Sequence, residues 1–353
     1  MDAVVKQFSW GRETIRMAVF ALVILTMPSW LRLVGGYEAL ATKILIWGLF
    51  ALGFDILLGF TAYLSFGHAA FFGTSAYVTG LMFKHFSASV FPALLAGMAS
   101  TLLLALLLGV LILRRSGIYF SILSLAFAEM LHAAALSIFG KWTGGDNGLT
   151  MDTKPMLAGV PMEGLSMFYL CAAFIIVGYA LARQLKRSPL GLMLQGIKEN
   201  QMRLEYTGVN VKLYKITAYV ISALYAGLAG SLMVVYEPYV ATKFLHWSTS
   251  GEVVIMSVIG GVNTLVGPMI GSGFMLYFEN VVQGFLGPQW KLVLGAVFVL
   301  VVIFLPGGFV DLYRRLRKRM GHPSRRRDNV PDAPGSVLEE RETKYTVLVK
   351  AKE

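Results

Sequence analysis

Long apolar runs recur along nearly the whole chain, and they constrain its fold more than any other feature. Leu94–Leu113 and Leu292–Leu305 carry no polar stripe at helical spacing, which a surface helix of a soluble bundle would need. A bilayer core about 30 Å thick requires a helix of about 20 mostly apolar residues. Only 14% of the 353 residues are charged. The sequence therefore predicts one all-α, polytopic membrane domain.

The first apolar run follows a short basic segment. Lys6, Arg12 and Arg16 precede it, and it continues through Pro28 without a small-residue cleavage site. We therefore expect a retained membrane helix rather than a cleaved signal peptide. The complete set of predicted helices is 17–34, 40–58, 66–84, 90–113, 118–139, 165–182, 216–236, the weakly broken stretch 250–284, and 289–306.

The net charge of +11 is concentrated between and after the apolar runs. Segment 183–215 holds seven Lys or Arg and two Glu, and the tail 311–353 holds twelve Lys or Arg and seven Asp or Glu. Each segment therefore carries +5, as cytoplasmic parts of membrane proteins do. We interpret the charge as a topological signal rather than as nucleic-acid or anionic-lipid binding. It predicts an inner-membrane protein with cytoplasmic segments 1–16, 183–215 and 311–353 and a membrane domain at 17–310.

Counting passes tests this topology. Four predicted helices lie between the N-terminus and Arg114–Arg115, and two lie between that pair and segment 183–215, so both counts are even as required. The stretch 250–284 must then supply two passes or a re-entrant pair, and Gly267–Pro268 permits such a break. The prediction is about ten spans, with an external loop at 140–164 of net charge −1.

Small and hydroxyl residues interrupt the apolar pattern within Leu57–Gly73. Small residues allow helix backbones to approach closely in lipid. Gly and hydroxyl residues also favour a broken helix whose freed backbone groups face a pathway. The alternative is a tight hairpin with a capping serine, and composition alone does not separate the two. On the first interpretation, Ser65, Gly67 and His68 lie at a substrate pathway.

Thr143–Leu149 is a second distinctive stretch, and its glycines predict a turn on the external side. It is not a phosphate loop, because no Gly-Lys-Ser or Gly-Lys-Thr follows. No Walker A sequence occurs anywhere in the chain. We therefore expect this chain to bind no cofactor. If ATP and magnesium are used, we expect partner subunits to bind them.

A third stretch, Pro189–Tyr206, predicts an amphipathic cytoplasmic helix. Ser188 is a suitable N-cap, and Gly208 is a suitable stop. Its apolar face needs a cover, which is either the lipid surface or a protein groove. We favour a docking element for a partner, with contacts from Ile197, Lys198, Glu199, Asn200 and Arg203, ending at Gly208.

Ionisable residues within predicted spans are candidate functional residues, because charge in lipid is costly. Glu129 and His132 are spaced to pair on one helix face. The alternative role for each residue is a helix-end or interhelical hydrogen bond. The lone Cys171 lies in an apolar run and offers neither a disulfide nor a thiolate metal site. The candidates are Asp55, His68, Glu129, His132 and Glu279, of which Asp55, His68 and Glu129 are assigned to the substrate pathway.

These stretches together resemble the permeases of bacterial ABC importers for branched-chain amino acids, of the LivM/LivH type and closer to the LivM half. The resemblance runs from about 40 to 306. Ala62–Tyr63, Gln201 and Thr207 depart from the family pattern. The matching positions are Gly59–Gly73, 143–149, Ile197–Gly208, Tyr214–Lys215, Ala226–Gly230, Gly260–Gly261 and Gly267–Pro268.

The resemblance implies a transport subunit rather than an enzyme. It implies half of a translocation pathway for branched-chain amino acids, amides or urea, in a bacterial inner membrane. The implied partners are a homologous LivH-like permease, two cytoplasmic ATPases and a periplasmic binding protein, with lipid around them and no nucleic acid. The residues alone leave open a proton-coupled secondary transporter or channel that uses Glu129, His132 or Asp55.

Overall fold

The structure is a computed structural model that describes the backbone of residues 2–320, except 152, 154, 158 and 306, and most side chains from 14 to 316. It is almost entirely helical. Two short antiparallel strand pairs, β1 (Leu149–Thr150) with β4 (Tyr239–Val240) and β2 (Met156–Leu157) with β3 (Val160–Pro161), lie in the loops. The helices are α1 (Asp2–Leu25), α2 (Met27–Leu33), α3 (Glu38–Thr61), α4 (His68–His85), α5 (Val90–Ile112), α6 (Ile118–Leu136), α7 (Gly140–Thr143), α8 (Leu165–Arg187), α9 (Pro189–Tyr206), α10 (Val211–Tyr236), α11 (Trp247–Gly260), α12 (Gly267–Leu286), α13 (Trp290–Phe304) and α14 (Gly308–Met320).

Among the described residues, five helices are long and apolar enough to cross a membrane, namely α3, α5, α6, α8 and α10. The number rises to seven if the bent pairs α1–α2 and α13–α14 each count as one span. A multi-pass, all-α membrane protein is therefore confirmed. The count of ten spans stays a prediction. The tail beyond residue 320 lies outside the described residues.

Helix α3 forms the centre of the compact unit that extends to Leu312. Phe50, Phe54 and Phe60, which point in different directions around α3, are each fully buried. A helix that is apolar on all sides is stable only when other helices surround it, and α10, α12, α8 and α11 pack around α3. In the outer helices α5, α6 and α8, less than two-fifths of the apolar span is buried within the chain, as expected of a lipid-facing layer.

The stretch 250–284 is broken as predicted. Helix α11 ends at Gly260 and α12 begins at Gly267. A Cβ atom on Gly260 would lie 1.8 Å from the carbonyl oxygen of Gly267, and one on Gly271 would lie 1.8 Å from that of Met256. Only glycine allows the two backbones to approach this closely. The glycines therefore make the tight α11–α12 pair possible.

Helix α9 begins as predicted and differs from the prediction in its middle. The Ser188 side chain accepts a hydrogen bond of 3.2 Å from the Gly191 amide, which caps the helix. Asn200 has non-helical dihedral angles of φ −160° and ψ 98°, so two helical pieces meet there. The Asn200 side chain accepts from the Arg203 amide and caps the second piece.

Candidate functional site

The chain between α3 and α4 is a break held in place by α6. Ala62 adopts the left-handed conformation with φ 59° and ends α3. The Ser121 hydroxyl then donates to the Leu64 carbonyl at 2.6 Å, and the Phe66 amide donates to Ser124 Oγ at 3.1 Å. A Cβ on Gly67 would lie 2.6 Å from the Ser124 carbonyl oxygen. Close backbone approach, which the sequence predicted for this segment, therefore occurs against α6.

His68 and Ser65 are fully buried within the chain. The Ser222 hydroxyl donates to the Gly53 carbonyl at 2.6 Å, so its oxygen accepts from His68 Nε2 at 2.7 Å. Ser65 Oγ accepts from the Gly67 amide at 3.2 Å. Both side chains thus join elements of this chain. Their assignment to a substrate pathway stays a prediction.

Asp55 binds the break between α11 and α12. Its carboxylate accepts the Asn263 amide at 2.6 Å and the Leu265 amide at 3.2 Å. Both donors have positive φ angles, of 66° and 61°, which non-glycine residues rarely adopt. The Lys186 ammonium donates to the Asn263 carbonyl at 2.6 Å and supplies positive charge nearby. The interhelical hydrogen bond considered as the alternative role of Asp55 is therefore its contact in this structure.

Helix α9 is fastened to the end of α3. Lys198 Nζ donates to the Gly59 carbonyl at 3.0 Å. The Tyr63 hydroxyl donates to Gln201 Oε1 at 3.3 Å, and Lys215 Nζ lies 5.1 Å from the centre of the Tyr63 ring. Tyr63 and Gln201, two positions at which the sequence departs from the family pattern, thus contact each other. Displacement of α9 would act directly on the break after α3.

The apolar face of α9 is covered by the chain itself. Leu194 is fully buried and Ile197 is 4% exposed, since α9 packs on α3, α8 and α10. The expectation that a partner covers Ile197 is therefore wrong, because α3, α8 and α10 already cover it. The outward face is mostly polar, with three large apolar or aromatic side chains, Leu192, Met202 and Tyr206. It includes Leu192, Lys198, Glu199, Asn200, Met202, Arg203, Glu205 and Tyr206, and the exposed Gly208 follows it.

A second polar cluster lies between α6 and the start of α11. Glu129 Oε1 accepts from the Trp247 amide at 3.1 Å and lies 3.8 Å from His246 Nε2. Its other oxygen lies 3.9 Å from His132 Nδ1, which confirms the predicted pairing on one helix face. The Ser248 amide donates to His246 Nδ1, so Nε2 of the neutral ring carries the proton and faces Glu129.

This cluster is partly open. The side chain of Glu129 is 36% exposed and that of His246 is 33% exposed. Trp247 is exposed beside them, as are the apolar Ile122 and Met130 on α6. Sequence reasoning missed His246 and Trp247. The available signal was a histidine between two apolar runs, directly before a helix start.

The remaining candidates have structural surroundings. The Thr143 hydroxyl donates to the Ala135 carbonyl at 2.6 Å, and a Cβ on Gly148 would lie 2.5 Å from the Val240 carbonyl oxygen, so the Gly-rich turn packs against β4. Glu279 on α12 lies within electrostatic reach of Glu252 and Lys243. Within the described part of the chain, no three His, Cys, Asp or Glu residues are grouped to hold a metal ion.

The fold and these sites define a multi-pass membrane protein whose polar contacts lie at helix breaks, as in solute permeases. Residues 36–302 match the family described as branched-chain amino acid transport system, permease component, and the chain belongs to that family. The prediction of a LivM-like permease, rather than an enzyme, is confirmed.

Three curated proteins illustrate the relationship. The high-affinity branched-chain amino acid transport system permease proteins LivM of Salmonella typhimurium and Escherichia coli K12 are each 25% identical over 329 residues. These alignments cover 86% of this chain and 77% of each relative. The autoinducer 2 import system permease protein LsrC of Enterobacter sp. strain 638 is 25% identical over 157 residues, 43% of this chain and 44% of the relative. No solved structure matches.

Proposed function

We propose that this chain is one permease subunit of a bacterial ABC importer for branched-chain amino acids or related small solutes. A homologous second permease completes the pathway, two cytoplasmic ATPases bind ATP and magnesium, and a periplasmic binding protein delivers the solute. The family match and the absence of a Walker A sequence from the chain support this division of labour. The observation that carries the proposal is helix α9, which has one face fastened to the membrane domain and one face exposed.

The exposed face of α9 is the proposed contact with an ATPase. Its inner face is fixed by Leu194, Ile197 and the Lys198–Gly59 hydrogen bond. Its outer face presents Glu199 and Arg203, which have opposite charges, with the apolar Met202 beside them. Such a surface fits a protein groove better than an anionic bilayer, where glutamate gains nothing. Displacement of α9 by an ATPase would act on the break after α3 through Lys198. It would act on the break after α11 through Lys186, at the end of the preceding helix α8.

The translocation pathway is proposed to pass over the α6 surface that carries Glu129. A partly exposed carboxylate on a mostly apolar membrane helix is costly in lipid, so it indicates a water-filled path or a partner subunit. Asp55, Ser65, Gly67 and His68 belong to this pathway indirectly. Asp55 fixes the break after α11, His68 joins α4 to α10, and the segment with Ser65 and Gly67 packs against α6, which carries the partly exposed Glu129.

The proposed topology keeps ten passes, with both termini and segment 183–215 cytoplasmic and loop 140–164 external, around a membrane domain at 17–310. The charge distribution supports it. The 311–353 tail is proposed to be a separate cytoplasmic segment. In this topology, five straight helices do not supply all ten passes. The others are assigned in part to the bent pairs α1–α2 and α13–α14 and to the broken pair α11–α12.

Charge reversal on α9 tests the proposal. In the reconstituted complex, Glu199→Lys should uncouple ATP hydrolysis from uptake or release the ATPase. A cysteine in the Glu199→Cys variant should crosslink to the ATPase. Lys212→Glu, at another exposed position of the same segment, is the control. Normal transport by Glu199→Lys, with the cysteine labelled only by lipid probes, would reject the coupling assignment.

The second candidate function is proton-coupled transport, which the grouping of Glu129, His132 and His246 favours because chains of acidic and histidine side chains serve as proton relays in membrane transporters. Uptake by the complete complex distinguishes the two. ATP dependence without sensitivity to a protonophore supports the importer. The reverse pattern supports the rival.

A further inference from the structure

We propose that helix α14 (Gly308–Met320) lies along the cytoplasmic leaflet of the membrane and binds the headgroups of anionic lipids. The helix directly follows the apolar helix α13. Residues 308–320 contain four arginines, one lysine and one aspartate, so the helix carries a net charge of +4. Five of the six positions from 314 to 319 are basic, and a run of this kind is too costly to enter the hydrocarbon core.

The large apolar residues of α14 form one stripe. Phe309, Leu312, Tyr313 and Leu316 are spaced three or four residues apart, which places them on the same side of the helix. Leu312, Tyr313 and Leu316 are all exposed. The basic positions occupy the remaining sides in the helical register. A helix with an apolar stripe and a strongly basic polar face is typical of segments that lie in the membrane interface.

The start of α14 identifies the leaflet. A Cβ atom on Gly308 would lie 2.7 Å from the Cα atom of Gly261, so the corner before α14 packs on the break after α11. Lys186, at the end of α8, donates to the Asn263 carbonyl in the same break. Segment 183–215 is cytoplasmic in the proposed topology, and on that topology α14 begins at the cytoplasmic leaflet.

Charge complementarity selects an anionic leaflet as the occupant. The outward face of α9 includes Glu199 and Glu205 among its basic residues, which favours a protein groove. In α14, by contrast, no Asp or Glu follows Asp311. The net charge of +4 already includes Asp311, so the attraction does not require any arginine to be without a partner. A second copy of α14 would bring like charges together, whereas an anionic surface covers the apolar stripe and neutralises the charge.

Hydrogen exchange of the backbone amides of α14 tests the proposal in the complete permease complex. The complex is reconstituted in nanodiscs of phosphatidylcholine, with and without phosphatidylglycerol. We expect the α14 amides to exchange more slowly when phosphatidylglycerol is present. Arg314→Gln/Arg317→Gln/Arg319→Gln should lower this added protection about 100-fold, or abolish it, because each basic residue near an anionic surface strengthens binding about fivefold. Exchange that does not depend on phosphatidylglycerol would overturn the proposal.

Two triple variants are the matched controls. Changing the same three arginines to lysine keeps the charge and should retain the protection of α14. Arg114→Gln/Arg115→Gln/Lys212→Gln removes three exposed charges from other segments predicted to be cytoplasmic, and it should also leave α14 protected. Equal loss of protection in this variant would overturn the proposal, because it would indicate a general attraction of the whole cytoplasmic face.

A benzophenone attached in Leu316→Cys identifies what covers the apolar stripe. The measurement does not depend on the arginine variants. Crosslinking to phospholipid supports the proposal. Crosslinking to an ATPase or to another copy of this chain rejects it.

Discussion

Lys198 on α9 donates a hydrogen bond of 3.0 Å to the carbonyl oxygen of Gly59, in the last turn of α3. That carbonyl lies next to the helix break, where intrahelical partners are missing. The ammonium therefore satisfies a backbone group of the most buried helix from a segment that faces out of the membrane domain. This contact is one of the links between the proposed ATPase-binding helix and the centre of the permease.

Removing this link should weaken coupling. We expect Lys198→Met to lower ATP-driven uptake about fivefold, the factor that corresponds to a hydrogen bond worth about 1 kcal/mol. ATPase binding should be retained, since Glu199 and Arg203 are unchanged. Uptake and ATP hydrolysis are measured together in proteoliposomes, which gives the number of solute molecules taken up per ATP hydrolysed. Lys212→Met serves as the comparison, and an equal effect of both changes would contradict the role of Lys198.

Loss of the Asp55 charge should loosen the α11–α12 break. Asn keeps one acceptor oxygen but presents an amide to the second backbone donor, so we expect Asp55→Asn to cost about 1–3 kcal/mol. The thermal unfolding temperature in detergent should fall, and the hydrogen-exchange rates of the backbone amides of residues 263 and 265 should rise. Asp146→Asn, at an exposed site, is the control. Unchanged stability with lost proton-driven uptake would instead support the secondary-transporter alternative.

Any side chain at Gly67 should disturb the contact between α4 and α6. A Cβ there would lie 2.6 Å from the Ser124 carbonyl oxygen, a backbone atom that cannot rotate away. We expect Gly67→Ala to destabilise the protein by about 1–3 kcal/mol. Gly295→Ala meets no atom within 4 Å and should leave the unfolding temperature unchanged or raise it. Equal unfolding temperatures of Gly67→Ala and the wild type would show that the chain around Gly67 can move away from α6 without cost.

Glu129 is expected to act on the ammonium group of an amino-acid solute. Glu129→Gln retains an acceptor for the Trp247 amide but removes the negative charge. Uptake of leucine-like solutes should therefore fall about tenfold or more, while uptake of neutral amides changes less. Glu237→Gln, which breaks a surface ion pair with Lys43, is the control. Equal loss for charged and neutral solutes would assign Glu129 a purely structural role.

The single cysteine gives a clean background for topology. Cys171 is 1% exposed, so an impermeant thiol reagent should not label the wild-type chain. In intact spheroplasts, Lys141→Cys should react, because it lies in the predicted external loop. Glu199→Cys should react only after the membrane is opened. The opposite pattern would reverse the proposed orientation.

The sequence determined the features that depend on neighbours along the chain. Apolar length alone identified a membrane protein, and the pattern at Ser188 and Pro189 located the start of α9. Gly267–Pro268 indicated a break within 250–284, and α12 begins there. Each of these signals is local, because helix length, capping and proline geometry act within a few residues.

The tertiary structure decided which residues meet across long separations. Asp55 and Asn263 are 208 residues apart, so periodicity could indicate that Asp55 needs a partner but not which one. The same reason explains why His246 was not connected with Glu129. It also explains why Ile197, apolar on a polar segment, was expected to bind another protein although α3, α8 and α10 cover it. Burial depends on the arrangement of whole helices, and no local pattern in one sequence encodes that arrangement.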